Sequence, residues 1–312
     1  MIGTSVKPEL SLDRFTNVEE TLDVRIGGHW TPSYCTPRFN IALIIPYKDR
    51  DEHLHLFTNN IIRFLKAQHI AFSIFVIEPV GKIMFNRAML MSIGYLEAKK
   101  RQNYDCYIFH DVDLIPLILQ NYYGCYDLPR HIAVASNKTN FKLNYAGYFG
   151  GAIGMTAKQI ERINGFSNIM FGWGGEDDDI YNRLRKMNIK PRRYPIEISA
   201  YVALGHGDDS ANPKSMDQIE NHLQFMDQDG LNTLVYKVNM VKERRLFTLI
   251  YVNIKGPSSV EELADFIMRS VDPQLINPDL LYPQEPQNFN SRNADYYYEG
   301  MKNRGRGEGA TS

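Results

Sequence analysis

Nowhere in the 312 residues is there an apolar run near the ~18 residues that a membrane-spanning helix needs. The opening residues carry no basic cluster followed by an apolar stretch, so no targeting signal is read there and no membrane contact is expected of the chain as it stands. An excess of either charge is also missing: 35 Lys and Arg face 36 Asp and Glu, a formal net charge of −1. Nucleic acid and acidic lipid are therefore not expected partners. Cysteine is scarce, and the three present form neither a CxxC nor a recognisable zinc spacing. Counts alone favour buried, reduced thiols. The chain further lacks GxxxxGK[ST], GxSxG, HExxH and a strand-borne GxGxxG. P-loop phosphoryl transfer, nucleophile-elbow acyl transfer and dinucleotide-dependent hydride transfer drop away with them.

What is present is ample material for a core. With 44% hydrophobic residues, 19 Tyr and 16 Phe, the chain cannot be wholly disordered, and its length suits one large domain or two ordinary ones. Residues 1–34 are polar and read as a loosely structured, stem-like lead-in. Ile41–Pro46 (IALIIP) is a continuous β-branched run, the mark of a strand buried on both faces. Leu54, Phe57, Ile61, Phe64 and Leu65 recur at helical spacing over residues 51–67. Phe72–Ile77 reads as a strand, 85–99 as a helix, and Cys106–Phe109 as a third strand ending in His110-Asp111-Val112-Asp113. Alternation at this pitch predicts right-handed βαβ units and a mostly parallel sheet flanked by helices. Ligands of such sheets sit at the strands' carboxyl ends, which here are residues 46–50, 78–87 and 111–113. Farther on, Ile132–Ser136 reads as a strand and Tyr148–Gly154 as a glycine-rich turn. A helix is expected from the acidic run to about Met187. Residues 35–255 are taken as the catalytic domain and 256–312 as a largely flexible extension with a short helix at 260–270.

Asp-x-Asp occurs four times, at 49/51, 111/113, 177/179 and 227/229, so the pattern alone decides nothing. The 111/113 copy differs because it closes a buried strand, where carboxylates are costly unless they bind something; a hard divalent cation holding a phosphate suits them. In Gly172-Trp173-Gly174-Gly175-Glu176-Asp177-Asp178-Asp179, four acids at a helix start partly complement its dipole. Capping needs only one or two of them, and the excess fits a carboxylate base beside others that hold hydroxyls. Trp173 between glycines is read equally as core packing or as a platform for a sugar face. The histidines carry little signal. His206 is plausible as a metal ligand, although a surface-loop histidine is the blander reading.

The ordered set PYKDR (46–50), FNRA (85–88), HDVDLIP (110–116), YFGG (148–151) and FGWGGEDDDIYNRL (171–184) resembles the animal β-1,4-galactosyltransferases. The likeness runs from about Gly27 to Gly256. It implies an α/β nucleotide-sugar transferase fold of the GT-A type, inverting transfer of galactose from UDP-galactose to the 4-hydroxyl of a terminal N-acetylglucosamine or related sugar on glycoprotein or glycolipid, and Mn²⁺. By this resemblance Pro46, Tyr47, Lys48, Arg50, Phe85, Arg87, Asp111, Val112, Asp113, Lys138, Tyr148, Gly151 and Trp173 bind the donor. Trp173, Gly174, Glu176, Asp177, Asp178, Met216 and Ile219 face the acceptor. Asp177 is the general base, with Glu176 as its catalytic neighbour, and Asp113 and His206 hold the metal. Tyr148 stands where relatives preferring N-acetylgalactosamine carry a smaller aliphatic residue.

Three departures accompany the likeness. Ala203 replaces a methionine ligand, which admits Mg²⁺ and leaves Asp208 or Asp209 as substitute ligands. The loop after His206 is shorter, and Ser215 and Met216 replace residues of the acceptor N-acetyl pocket. Alternatives that follow are transfer of N-acetylgalactosamine and a catalytically weak sugar-nucleotide or glycan-binding relative. The resemblance also implies a Cys106–Cys125 disulfide with Cys35 free, and an unglycosylated Asn137-Lys138-Thr139 sequon. It implies the Golgi lumen as well, with the family's N-terminal anchor absent from this chain and a secreted or truncated form as the alternative.

Overall fold

A nine-stranded mixed sheet carries the architecture, which the computed structural model describes over residues 4–11, 22–205 and 226–270. The elements run β1 (His29–Trp30), β2 (Asn40–Pro46), α1 (Asp51–Ala67), β3 (Ala71–Pro79), α2 (Arg87–Arg101), β4 (Cys106–His110), β5 (Leu114–Pro116), β6 (Arg130–His131) and β7 (Ala135–Ser136). They continue through β8 (Ala152–Met155), α3 (Ala157–Arg162), α4 (Glu176–Lys186), β9 (Arg192–Arg193), β10 (Ala200–Ala203), β11 (Tyr236–Glu243), β12 (Thr248–Ile254) and α5 (Val260–Ser270). The sheet order is β11-β12-β3-β2-β4-β8-β6-β9, with β1 also on β3. Its centre, β12-β3-β2-β4, is parallel, whereas β8 runs antiparallel to both β4 and β6.

The unbroken apolar run of β2 is explained by cover on both faces: Ile41 through Ile45 are fully buried. Leu54, Phe57, Ile61, Phe64 and Leu65 form the buried side of α1, as their spacing predicts. Helix α2 starts at Arg87 because the Asn86 side chain accepts the Met89 N–H at 2.8 Å, and its basic last turn suits the dipole. Because β2, β3 and β4 are parallel, residues 47–50, 80–87 and 111–113 emerge along one edge. A small second sheet, β5-β10-β7, lies beyond β4 and returns residues 203–205 to Asp113.

One strand expectation needs correction, and the segments on either side of the domain carry more structure than their composition suggests, including the expected helix at 260–270. Residues 132–134 are buried but not strand: the Ile132 and Ala133 N–H groups both donate to the Ala152 carbonyl, so the ladder cannot continue. The 1–34 lead-in is partly built into the fold, since β1 pairs with β3 and Leu22, Val24 and Trp30 are buried. The extension also begins in contact with the body. The Met84 N–H donates to the Pro257 carbonyl, Leu263 and Ile267 of α5 are buried, and the Phe266 ring meets Phe171. The chain divides into units Met1–Asn277 and Pro278–Ser312, the second lying outside the described residues. Among the described residues no helix is long and apolar enough to cross a membrane.

Candidate active site

Arg87 opens α2 at the carboxyl edge of the sheet, and its guanidinium is shared among three carboxylates from two other elements. Nε donates to Asp111 Oδ1 at 2.6 Å, while Nη1 donates to Asp177 Oδ1 at 3.0 Å and lies 3.8 Å from Glu176 Oε1. Burial weighs against the cation, but Asp111, Asp177 and Glu176 outweigh it and hold Arg87 firmly protonated. The carboxylates feel the reverse imbalance. Burial pushes Asp177 up to about 7, with Arg87 opposing and the charges of Glu176 and Asp178 adding to the rise. Burial likewise pushes Asp111 up to about 6 against the pull of Arg87, and raises Glu176 and Asp178 above the ordinary carboxylate range.

The acidic run sits on the first turn of α4, whose N-cap Gly175 makes no side-chain cap. Glu176, Asp177 and Asp178 therefore complement the dipole and face the cleft, while Asp179 turns into the core. Ahead of them Gly172, Gly174 and Gly175 all have positive φ, at 83°, 104° and 96°, backbone that a side-chain-bearing residue would strain. This backbone leaves Trp173 45% exposed. The loop is tied to the 78–87 stretch by the Gly172 N–H, which donates to the Phe85 carbonyl at 2.8 Å.

Asp113 follows β4 with its carboxylate 3.2 Å from Lys138 Nζ, and its carbonyl accepts the Leu204 N–H at 2.8 Å. Val112 between the two aspartates is buried. His206, Met216 and Ile219, with Asp208, Asp209 and Ser215, lie outside the described residues. Among the described residues no three His, Cys, Asp or Glu side chains converge as a cation cluster. The donor chemistry nevertheless fits a divalent ion: Asp113 adds to the charge that raises Asp111, leaving negative charge that a cation would neutralise. Asn137 of the sequon spends its amide on the Ala203 backbone, accepting its N–H at 2.6 Å and donating to its carbonyl at 3.3 Å.

Pro46 ends β2, and Tyr47 beyond it donates to Asp51 Oδ1 at 2.5 Å and accepts the Arg50 N–H at 3.1 Å. Lys48 Nζ donates to the Ile83 carbonyl at 2.8 Å, joining the 46–50 and 78–87 stretches as their strand ends suggest. Thus Arg87 joins Asp111, Glu176 and Asp177, Lys138 pairs with Asp113 two residues beyond Asp111, and Lys48 is fastened to the 78–87 stretch at the same edge of the sheet.

Four further residues shape it that the sequence did not single out. Gly150 lies so close to Asp177 that a Cβ there would stand 1.9 Å from Oδ2. His131 is bonded through Nε2 to the Gly150 carbonyl at 3.1 Å and accepts from Arg193 Nε at 3.0 Å, which fixes its neutral tautomer. Burial and Arg193 hold this histidine far down, at about 3. Tyr145 hydrogen-bonds the Asp178 carboxylate, and its ring lies 5.6 Å from that of Tyr148. The phenol of Tyr148 is raised well above its ordinary value by burial and by the charges of Asp177 and Asp111. Only the YFGG spelling hinted at Gly150; a lone histidine carries no such signal. The Cys106–Cys125 disulfide is formed and Cys35 is free and exposed.

An α/β domain with a parallel central sheet, an Asp-x-Asp at a strand's carboxyl end and buried carboxylates gathered around Arg87 has the architecture of the GT-A glycosyltransferases. Residues 2–126 match the N-terminal region of glycosyl transferase group 7, and residues 130–207 match the N-terminal domain of galactosyltransferase. Human β-1,4-galactosyltransferase 2 is 43% identical over 244 residues, covering 77% of this chain and 66% of that protein. The zebrafish (Danio rerio) β-1,4-galactosyltransferase 5 is 39% identical over 261 residues, covering 79% and 65%. The catalytic domain of Drosophila β-1,4-galactosyltransferase 7 with xylobiose superposes with a TM-score of 0.57 at 29% identity, covering 72% of this chain and 97% of that one. A variant of the Drosophila protein in complex with manganese, UDP-Gal and xylobiose gives 0.58 at 28%, with the same coverage. The chain belongs to the β-1,4-galactosyltransferase family, glycosyl transferase group 7. It spans 66% or less of the length of these curated relatives.

Proposed function

We infer that this chain is an inverting β-1,4-galactosyltransferase that moves galactose from UDP-galactose to the 4-hydroxyl of a terminal N-acetylglucosamine or related sugar on a glycoprotein or glycolipid. The observation that carries the reading is Asp177: a cleft carboxylate at the head of α4, poised at about 7 and held 3.0 Å from the guanidinium that also grips Asp111. Asp177 takes the acceptor hydroxyl proton as that oxygen attacks the anomeric carbon. The new C–O bond forms on the face opposite UDP, and the old bond's electron pair leaves with the diphosphate. Pro46, Tyr47, Lys48, Arg50, Phe85, Val112 and Lys138 hold the nucleotide so that the sugar is oriented for attack. Tyr148 and Gly151 border the sugar. Glu176 and Asp178 bind acceptor hydroxyls, with Trp173 and Gly174 over the acceptor ring and Met216 and Ile219 completing that side.

Asp113 and His206 would hold the divalent cation. Bound there, the ion supplies charge neutralisation for the leaving diphosphate. Manganese, present in the Drosophila complex, is the favoured ion, with magnesium the alternative given Ala203. Golgi-lumenal residence is part of the same proposal and follows from the family resemblance alone.

The test is turnover by the purified chain with UDP-galactose or UDP-N-acetylgalactosamine, N-acetylglucosamine and xyloside acceptors, and Mn²⁺ or Mg²⁺. The expected result is galactose transfer that Asp177→Asn abolishes while UDP binding persists. Tight UDP–metal binding without turnover on any acceptor would instead identify a sugar-nucleotide-binding relative.

A further inference from the structure

Asp179 ends the acidic run, yet it does not serve the cleft. Its carboxylate, 2% exposed, accepts from the fully buried Arg183 Nε at 2.7 Å one helical turn on, and Arg183 Nη2 donates to Asp229 Oδ2 at 3.1 Å. A fully buried guanidinium between two buried carboxylates is costly to desolvate and is strongly destabilised if either acid is lost. Asp229 belongs to the fourth Asp-x-Asp of the sequence, a pattern with no evident role there. Its other oxygen accepts the Asn168 N–H at 2.8 Å, and the Asn168 side chain returns to the same turn, donating to the Gly230 carbonyl at 2.9 Å and Thr233 Oγ1 at 3.2 Å. Asn86, the cap that places Arg87, donates to the Asn168 carbonyl at 3.0 Å. One carboxylate thus reaches both stems of the Trp173 loop: the incoming stem through Asn168, and the outgoing stem, α4, through Arg183.

We propose that Asp229 is a positioning residue for sugar transfer. By fixing both stems, it sets Trp173 relative to Glu176 and Asp177, although it touches no part of the cleft itself. The glycines of the loop have little conformational preference of their own, so the loop's geometry must come from its anchors. This inference rests on the transferase reading above, and its first readout is independent of activity.

In a Trp30→Phe background Trp173 is the sole tryptophan, since the chain has two. Asp229→Asn is expected to increase acrylamide quenching of Trp173, lower kcat for transfer about 100-fold, and raise the ratio of UDP-sugar hydrolysis to transfer several-fold. The UDP dissociation constant should stay within twofold. Asn168→Ala leaves the buried ion triad and the Asp229–Asn168 N–H bond whole but removes the incoming stem's two side-chain bonds to the Gly230–Thr233 turn that carries Asp229, and should move quenching and the hydrolysis ratio the same way by less. It decides the matter if Asp229→Asn fails to fold. Unchanged quenching and an unchanged hydrolysis ratio in the folded variants would overturn the proposal. A parent protein that transfers nothing, with quenching still altered in the variants, would sink the transferase reading and leave the anchoring role standing.

Discussion

Oδ2 of Asp177 occupies the space that a side chain on Gly150 would need, with only 1.9 Å between it and a Cβ at that position. The proposed base is therefore seated against bare backbone. Gly150→Ala must push Asp177 off its contact with Arg87 or displace the strand entry at β8. We expect transfer to fall about 100-fold or more, as a misplacement near 1 Å costs. The Tm should drop by a few degrees at most, and UDP binding should persist. Steady-state kinetics beside a thermal melt check this.

The pH profile should carry the signature of the same carboxylate. In its proposed role Asp177 would act as a base only when ionised, so kcat/KM should rise with pH and level off above a midpoint near 7. Arg87 pulls that value down, and Arg87→Met should move the midpoint upward whatever it does to the absolute rate. A midpoint that stays put in the variant would remove Arg87 from this role.

Stability should run the other way. The folded value of about 7 lies above the ordinary 3.8, so the fold favours protonated Asp177. Its contribution is fully present below pH 4 and is lost as pH rises through about 7. Asp177→Asn should therefore melt higher than the parent at pH 8, by roughly 2–4 °C per kcal/mol of relieved repulsion, with the gap closing at pH 4. Melting curves at the two pH values decide it.

Reduction should be costly. The Cys106–Cys125 bridge closes a 19-residue separation from β4 to the segment holding Tyr123, whose hydroxyl is 2.8 Å from His110 Nε2. Loss of that constraint is expected to cost about 3 kcal/mol, read as a lowered Tm in reductant or in Cys125→Ala. Cys35→Ala, at an exposed position, should melt as the parent does.

Metal choice should respond to Ala203. The residue sits on β10 opposite Leu114, with the Asn137 amide on its backbone. A thioether favours the softer transition ion, so Ala203→Met should improve Mn²⁺ relative to Mg²⁺ in supporting UDP binding. Calorimetric titration with each ion provides the ratio; an unchanged ratio would separate this position from metal selection.

Much of this could be read from the residues. Helical spacing located α1, the acidic run marked the start of α4, and continuous apolar runs located the buried parallel strands. The β11–β12 hairpin escaped because the register shifts between Val238 and Met240, which breaks the two-residue alternation and leaves Met240 and Val241 both exposed. Residues 132–134 misled for the opposite reason: they are apolar and buried, but their N–H groups converge on one carbonyl. In the site, residue types were legible and contacts were not. Arg87 and Asp177 are 90 residues apart, and nothing local to either announces the other. Asp178 and Asp179 look alike in the run, and only packing sends one to the cleft and the other to Arg183.

The short strand β1 has a practical consequence. It covers Phe72 and Ser73 on the same side of β3 that β12 covers from Phe75 to Pro79, so the two share one edge end to end. A chain cut back to residue 35 would lose Leu22, Val24 and Trp30 from the core and leave two rungs of β3 open beside fresh apolar surface. Open backbone next to an apolar patch is a template for intermolecular pairing. Such a truncation should come out of solution as aggregate, even though every residue of the proposed catalytic cleft would still be present in it.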